Sequence, residues 1–325
     1  NAGFMISGLD NYYHRAIDTY GHDVAREMWH LSLRTISHWR EFIKSSSFEI
    51  PLDNCGSMLL AESAEEAKDL ELAAKALSDD KIEIEFHSKD PLGRGYFAGI
   101  EQPIDAGVQP YLLVKSIMEQ SSAELVANNE LYRIEQDNDE YVTVYTRKFI
   151  FKARHVLLCT NAYSAMIDPY FVGKVIPTRA QCLVTEPLAE VPIKYCGYSN
   201  YGYMYYRTTF DGRLLVGGGR HMFKAEEDDT TEDRLNDNVQ HYLDTYITQY
   251  FPDVKAPVAH RWSGIMGFSV DGLPMVGILP DKPRVGFAVG FTGHGLAMSA
   301  GTVERAVDKL LNGVSAGAVD VARLG

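Results

Sequence analysis

The chain has 325 residues, 46% of them apolar and 23% charged, which is long for one core, suits two domains and matches the make-up of soluble globular proteins. A net charge of −13 argues against nucleic acid or an anionic membrane as partner, and the absence of any run of 18 apolar residues argues against a membrane span. Cys55, Cys159, Cys182 and Cys196 show no C-x-x-C spacing, so the sequence gives zinc or dithiol chemistry no support and points to a reducing, cytoplasmic setting.

The opening Asn1-Ala2-Gly3-Phe4 has no Met, no basic stretch and no apolar stretch, and so does not read as the start of a gene product. Met28, Leu31, Ile36, Trp39 and Ile43 recur at helical spacing and predict a helix over 22–44. His22, His30 and His38 lie along it without carboxylate partners, which favours packing or surface roles over a metal site. A strand is expected over 56–61, then a helix to about 77 opened by the capping-box pair Ser63 and Glu66. Asp105-Ala106-Gly107 reads as a turn, and Pro110 precedes a helix over 111–121. Residues 141–146 and 149–152 alternate like a hairpin. The apolar run 156–159 has the look of a buried parallel strand, with Cys159 as a buried small residue. Strands over 181–185 and 213–217 follow, then an acidic run, 228–233, ahead of a helix over 234–250. Alternation would put Tyr201, Tyr203 and Tyr205 on one strand face and Tyr206 on the other.

The sharpest local signal is C-terminal. A buried strand over 284–290 runs into Phe291-Thr292-Gly293-His294-Gly295, and a helix over 296–311 ends at Asn312-Gly313. Strand, glycine turn and helix start make an electropositive cradle, because glycines admit a ligand to the backbone and the helix dipole faces it. It is a poor dinucleotide fingerprint: Met298 stands where glycine or alanine is wanted, and too little chain follows for the next strand and its acidic residue. Gly93-x-Gly95-x-x-Ala98 follows no strand. The late helix start suits instead the flavin end of a dinucleotide, where it would stabilise negative charge on the reduced ring.

Several segments in order resemble the D-amino-acid-oxidase-like family of FAD oxidoreductases, which includes glycine, sarcosine and gamma-glutamylputrescine oxidases. Asn1-Ala2-Gly3-Phe4 is similar to the end of the family's Ser-Gly-Arg-Asn-Gly-Gly loop along the FAD. Asp105 to Pro110 resembles its D-G-x-x-x-P turn, Leu131 the position whose backbone meets the adenine, and Val156 to Ala162, with Thr160 and Asn161, its V-V-x-A-T-N-A strand end. Tyr206-Arg207 with Asp211 to Gly218 resembles a substrate-domain strand pair. Trp262-Ser263-Gly264, Asp271 to Gly277 and Gly293-His294-Gly295, followed by Leu296, complete the C-terminal pattern.

The resemblance implies an α/β protein, α+β overall. A Rossmann-like FAD domain (1–50, 104–173 and 260–325) would be interleaved with an antiparallel-sheet substrate domain (51–103 and 174–259). The family's opening strand, GxGxxG and acidic residue have no counterpart in this sequence, so the chain is expected to be N-terminally truncated. The implied reaction is oxidation of the C–N bond of a small amine or amino acid to an imine. The other reading is a cofactor-free, non-catalytic fragment. Where related oxidases carry an arginine for the substrate carboxylate, this chain has Met266, which favours an amine or an acid held elsewhere. Arg207 is the alternative anchor, Tyr203 a candidate wall of the substrate site, and His294 a residue whose backbone matters more than its ring.

Overall fold

The computed structural model describes residues 1–136 and 140–325. By compactness the chain divides into two units, residues 1–116, 179–227 and 232–264 in the first and 117–178, 228–231 and 265–325 in the second.

The first unit is built on an eight-stranded mixed sheet. Its spatial order is Val258–Ser269, Val175–Thr185, Leu214–Gly218, Met204–Thr208, Cys196–Ser199, Ser57–Leu60, Gly99–Gln102 and Glu85–His87; the first strand's last residues and the second's first residues belong to the other unit. The Cys196–Ser199 and Ser57–Leu60 strands run parallel, whereas Leu214–Gly218, Met204–Thr208 and Cys196–Ser199 make antiparallel neighbours. Tyr206, Met204, Leu183, Val216 and Met58 form one apolar face, covered by Leu243, Tyr246, Ile247 and Tyr250 of the helix Asp237–Tyr250. A small sheet, Phe4–Met5, Ala106–Val108 and Leu52–Asp53, completes the unit with the helices Tyr13–Tyr20, His22–Ser45 and Ala64–Asp79.

The second unit has two three-stranded sheets. Val156–Leu158 pairs parallel with Lys282–Val289, and Met275–Leu279 runs antiparallel on its other side. Leu131–Gln136, Val142–Thr146 and Ile150–Ala153 form an antiparallel meander. Leu158, Phe171, Val285, Phe287 and Val289 fill the core, and the helix Gly295–Asn312 follows the central strand, closed at its far end by Gly313 in the left-handed conformation.

Most expected elements form within a few residues of their predicted limits, including the hairpin, the parallel strand at 156 and the long helix His22–Ser45. Four expectations are corrected. Asp105-Ala106-Gly107 is not a turn: Asp105 is fully buried and Ala106–Val108 is a strand paired on both edges. Cys159 is exposed, one residue beyond the strand's end at Leu158. Tyr201 and Tyr203 share no strand face with Tyr205; Asn200 and Tyr201 take positive φ in a turn, and the strand begins only at Met204. The helix after the acidic run starts at Asp237, where the Asn236 side chain accepts from the Asn238 N–H; 234 and 235 remain outside it.

Candidate flavin-binding elements

In the second unit the structure brings together the turn after Val156–Leu158 and the turn before the last helix. Asn161, at φ +43°, accepts the Gly290 N–H on Oδ1 at 2.9 Å. The same side chain lies over Gly267, where a Cβ would sit 2.6 Å from its Oδ1. Thr292 donates its N–H to the Gly267 carbonyl at 2.9 Å, and Thr160 Oγ1 lies 2.9 Å from Ser164 Oγ. Asn161 therefore fixes the end of one strand and the approach to the helix at once.

The N-cap of this helix makes no side-chain capping bond. His294 is the N-cap, but its side chain caps nothing; its Nδ1 lies 3.3 Å from the Thr292 carbonyl, and its N–H donates to Phe291 O at 2.9 Å. No acidic residue stands in the first turn. Gly293, at φ +81°, would carry its Cβ no closer to another residue than 3.7 Å, at Met266 Sδ, and at Gly295 the nearest atoms are those of Phe291 at 3.6 Å. Glycines here leave room for a flat group to approach the backbone, and the positive end of the dipole faces that room. These features fit a flavin. Leu296 follows in the first turn, and Leu131 begins the separate meander, paired with Thr146.

In the first unit the opening loop is held by Arg207. Gly3, at φ +78°, has its N–H on Asn1 Oδ1 at 2.7 Å, and a Cβ would fall 2.2 Å from Val108 O. Arg207 is buried; its Nη1 donates to Gly3 O at 2.8 Å and Val108 O at 3.3 Å, with the guanidinium lying over Gly107. It is neither a surface strand residue nor an outstretched clamp: it ties the loop Asn1-Ala2-Gly3 to the small sheet. Phe4 pairs with Gly107 and packs on Tyr198 and Tyr205, their ring centroids at 5.2 and 6.0 Å.

Asp105 sits beneath this sheet. Its Oδ1 accepts the Ser7 N–H and hydroxyl at 2.9 and 2.8 Å, and its Oδ2 accepts from Ser57 and Gln102. Burial pushes its carboxyl up to about 6, against the pull of the serine donors. Tyr203 packs against His221 with their rings tilted and their centroids 4.8 Å apart, and the Arg220 guanidinium carbon lies 4.8 Å from the Tyr203 ring centroid. Burial, then Arg220 and Lys224, lower His221 to about 4. Trp262 and Gly264 lie on the half of Val258–Ser269 that belongs to this unit, both half-buried, and a Cβ on Gly264 would meet nothing within 4 Å.

Sequence reading missed two buried polar assemblies of the first unit. Glu66 is more than a capping partner: it accepts from Tyr12 Oη at 2.7 Å, the Tyr201 N–H at 2.6 Å and the Glu62 N–H at 2.7 Å. Arg179 and Glu227 form a fully buried bidentate pair, Nε–Oε2 3.0 Å and Nη2–Oε1 2.8 Å, with Gln181 and Asn236 also donating to the carboxylate. Burial opposes that charge, but Arg179 and the two amides more than offset it and hold Glu227 below the usual carboxylate range. The sequence marked Glu66 only as a capping partner, and nothing in it paired Arg179 with Glu227, 48 positions away. Among the described residues, Glu85, His87 and Glu101 also converge, with His87 Nε2 3.7 Å from Glu101 Oε2; His22, expected to lack a carboxylate partner, has one in Asp80 at 2.9 Å, brought to it by the fold from 58 positions away.

Comparison with known proteins decides the lineage. The model of the DAO family, FAD dependent oxidoreductase, matches residues 1–308. The chain belongs to this family. Gamma-glutamylputrescine oxidoreductase of Escherichia coli is 29% identical over 179 residues, 52% of this chain and 39% of that protein. The chain thus spans well under half the length of that curated relative. Glycine oxidase from Geobacillus kaustophilus superposes with a TM-score of 0.77 at 19% identity, covering 95% of this chain and 84% of that one. L-alpha-glycerophosphate oxidase from Mycoplasma pneumoniae, solved with FAD bound, gives 0.76 at 16% identity, covering 96% and 84%. The mixed α/β fold with several sheets is therefore that of FAD-dependent oxidases, as the resemblance implied. FAD is the cofactor of this DAO family, and no helix among the described residues is long and apolar enough to cross a membrane.

Proposed function

We propose that this DAO family protein oxidises the C–N bond of a small amine or amino acid to an imine, which water then hydrolyses. The observation that carries the reading is the glycine-flanked start of Gly295–Asn312, with no N-cap side-chain bond and no acid in its first turn, in a chain of a flavin-dependent family. When bound, FAD supplies a two-electron acceptor for the hydride on the carbon next to nitrogen, and passes the electrons to oxygen or another acceptor.

The chain's own work is binding and orientation. In the second unit, Gly293, His294, Gly295 and Leu296 would offer backbone to the flavin, Thr160 and Asn161 would hold that turn, and Leu131 would meet the adenine. In the first unit, Asn1, Ala2, Gly3 and Phe4 would lie along the cofactor, with Arg207 as the positioning residue for their loop. Trp262 and Gly264 would serve as contacts, and Tyr203 as a wall for substrate. The assignment of 1–50, 104–173 and 260–325 to the cofactor and of 51–103 and 174–259 to the substrate is part of the same proposal, as is a cytoplasmic location. Met266 offers no carboxylate clamp, and Arg207 already donates to three backbone carbonyls, those of Gly3, Val108 and Thr208, which favours an amine over a simple amino acid.

The fold is shared with a protein named for glycerophosphate, so the fold alone does not choose between C–N and C–O oxidation. The test is a visible spectrum of FAD-supplemented protein, followed by anaerobic addition of amines, amino acids and glycerol phosphate. Bleaching of the flavin bands by an amine or amino acid supports the proposal. Bleaching by glycerol phosphate alone removes the C–N assignment, and a folded protein that takes up no FAD removes the whole reading.

A further inference from the structure

Sequence spacing gives no hint of a dithiol, yet the fold makes one. Cys55 Sγ and Cys196 Sγ, 141 positions apart in sequence, lie 3.8 Å from each other, both as free thiols. Their backbones are locked side by side: Cys196 pairs in register with Ser57 and donates its N–H to Gly56 O at 3.1 Å. A disulfide would bring the two sulfurs from 3.8 Å to about 2.05 Å.

The two sulfurs differ in surroundings. Cys55 is half-buried, whereas Cys196 is fully buried among Phe4, Ile6 and Tyr198. The contact with the Cys196 thiol holds Cys55 below the ordinary thiol range, with burial and Asp53 opposing and the Cys196 backbone and the Arg207 guanidinium helping. The same contact, together with burial, pushes Cys196 up. An accessible, more acidic thiol beside a buried one is the arrangement of attacking and resolving cysteines. The other two thiols lack it: Cys182 Sγ faces the Tyr205 hydroxyl at 3.3 Å, and Cys159 is exposed.

We propose that Cys55 and Cys196 are a peroxide-oxidisable dithiol, with Cys55 as the attacking and Cys196 as the resolving residue. The Cys55 thiolate attacks one oxygen of hydrogen peroxide; the O–O bond breaks, hydroxide leaves, and the sulfur becomes a sulfenic acid. The Cys196 sulfur then attacks the Cys55 sulfur; the S–O bond breaks, and the departing hydroxide takes the Cys196 proton as water. Two thiols and one peroxide give one disulfide and two waters. The bond would fasten the approach to Ser57–Leu60 to the Cys196–Ser199 strand beside Phe4, in the core of the first unit.

The first measurement uses the unsubstituted protein. Native protein is treated with hydrogen peroxide, its remaining thiols are alkylated under denaturing conditions, and unreduced peptides are mapped by mass. The expected product links the Cys55 and Cys196 peptides with the loss of two hydrogens, titratable thiols fall from the four in the sequence by two, and dithiothreitol restores them. With Cys196→Ser, a dimedone-type reagent should trap a sulfenic acid at Cys55. Recovery of Cys55 and Cys196 both alkylated after peroxide, or of Cys55 as sulfinic acid with Cys196 alkylated, overturns the assignment.

Discussion

Two helix starts in this protein are built in opposite ways. At Ala64–Asp79 the Ser63 hydroxyl accepts the Glu66 N–H at 3.1 Å, Glu65 and Glu66 supply negative charge, and Glu66 reaches back to the Glu62 N–H. At Gly295–Asn312 there is no side-chain cap, no acid in the first turn, and glycine on either side of His294. A helix whose N-terminus is closed by its own chain serves folding. One with no capping side chain and no acid in its first turn, in a family that binds FAD, keeps the positive end of its dipole uncompensated by charge of its own.

The contrast is broken most severely at Glu66. Glu66→Ala strands the Tyr12 hydroxyl and the Tyr201 and Glu62 N–H groups in a buried site, and should cost about 4 kcal/mol of stability in chemical denaturation, since each orphaned donor costs on the order of 1–3 kcal/mol. Asp105 extends the comparison to pH. Its raised carboxyl contributes stability that is full below 3.8 and lost as pH rises through about 6, by up to about 3 kcal/mol. His221 runs the other way, its contribution present above 6.5 and lost as pH falls toward 4. Asp105→Asn should therefore make stability climb more steeply between pH 4.5 and 7 than in the wild type, as read from denaturation midpoints at the two pH values.

Smaller effects sharpen the contrast by exchanging the two designs. His294→Asp gives the last helix a cap and an acid; FAD affinity should drop about tenfold, while the thermal midpoint holds or rises, by an amount worth up to about 1 kcal/mol. Ser63→Ala does the reverse, with a loss of about 1 kcal/mol in stability and no change in FAD affinity, measured by flavin fluorescence.

Local pattern carried much of the fold into view. Helical periodicity marked His22–Ser45, the apolar run at 156 marked a parallel strand, and Ser63 with Glu66 marked a helix start. Those signals are short-range, set by neighbours within a turn or a pleat. What failed was long-range. Asp105 reads as a turn residue because its burial depends on Ser7, Ser57 and Gln102, all supplied by tertiary pairing. Tyr201 and Tyr203 fit an alternating pattern that the positive φ of Asn200 and Tyr201 interrupts. Arg207 looks like an anchor until its acceptors, Gly3 and Val108, arrive from far along the chain. On the candidate site, the glycine turn at 293–295 was legible because turn chemistry is local, but the bracing of that turn by Asn161 was not.

The sharpest test of the account is a parallel titration of FAD into wild-type and His294→Asp protein, followed by flavin fluorescence and by thermal melting of the same samples. Expected are saturable binding to the wild type, roughly tenfold weaker binding to the variant, and equal or higher intrinsic stability of the variant. Equal affinities for the two proteins would show that the start of the last helix does not face the cofactor.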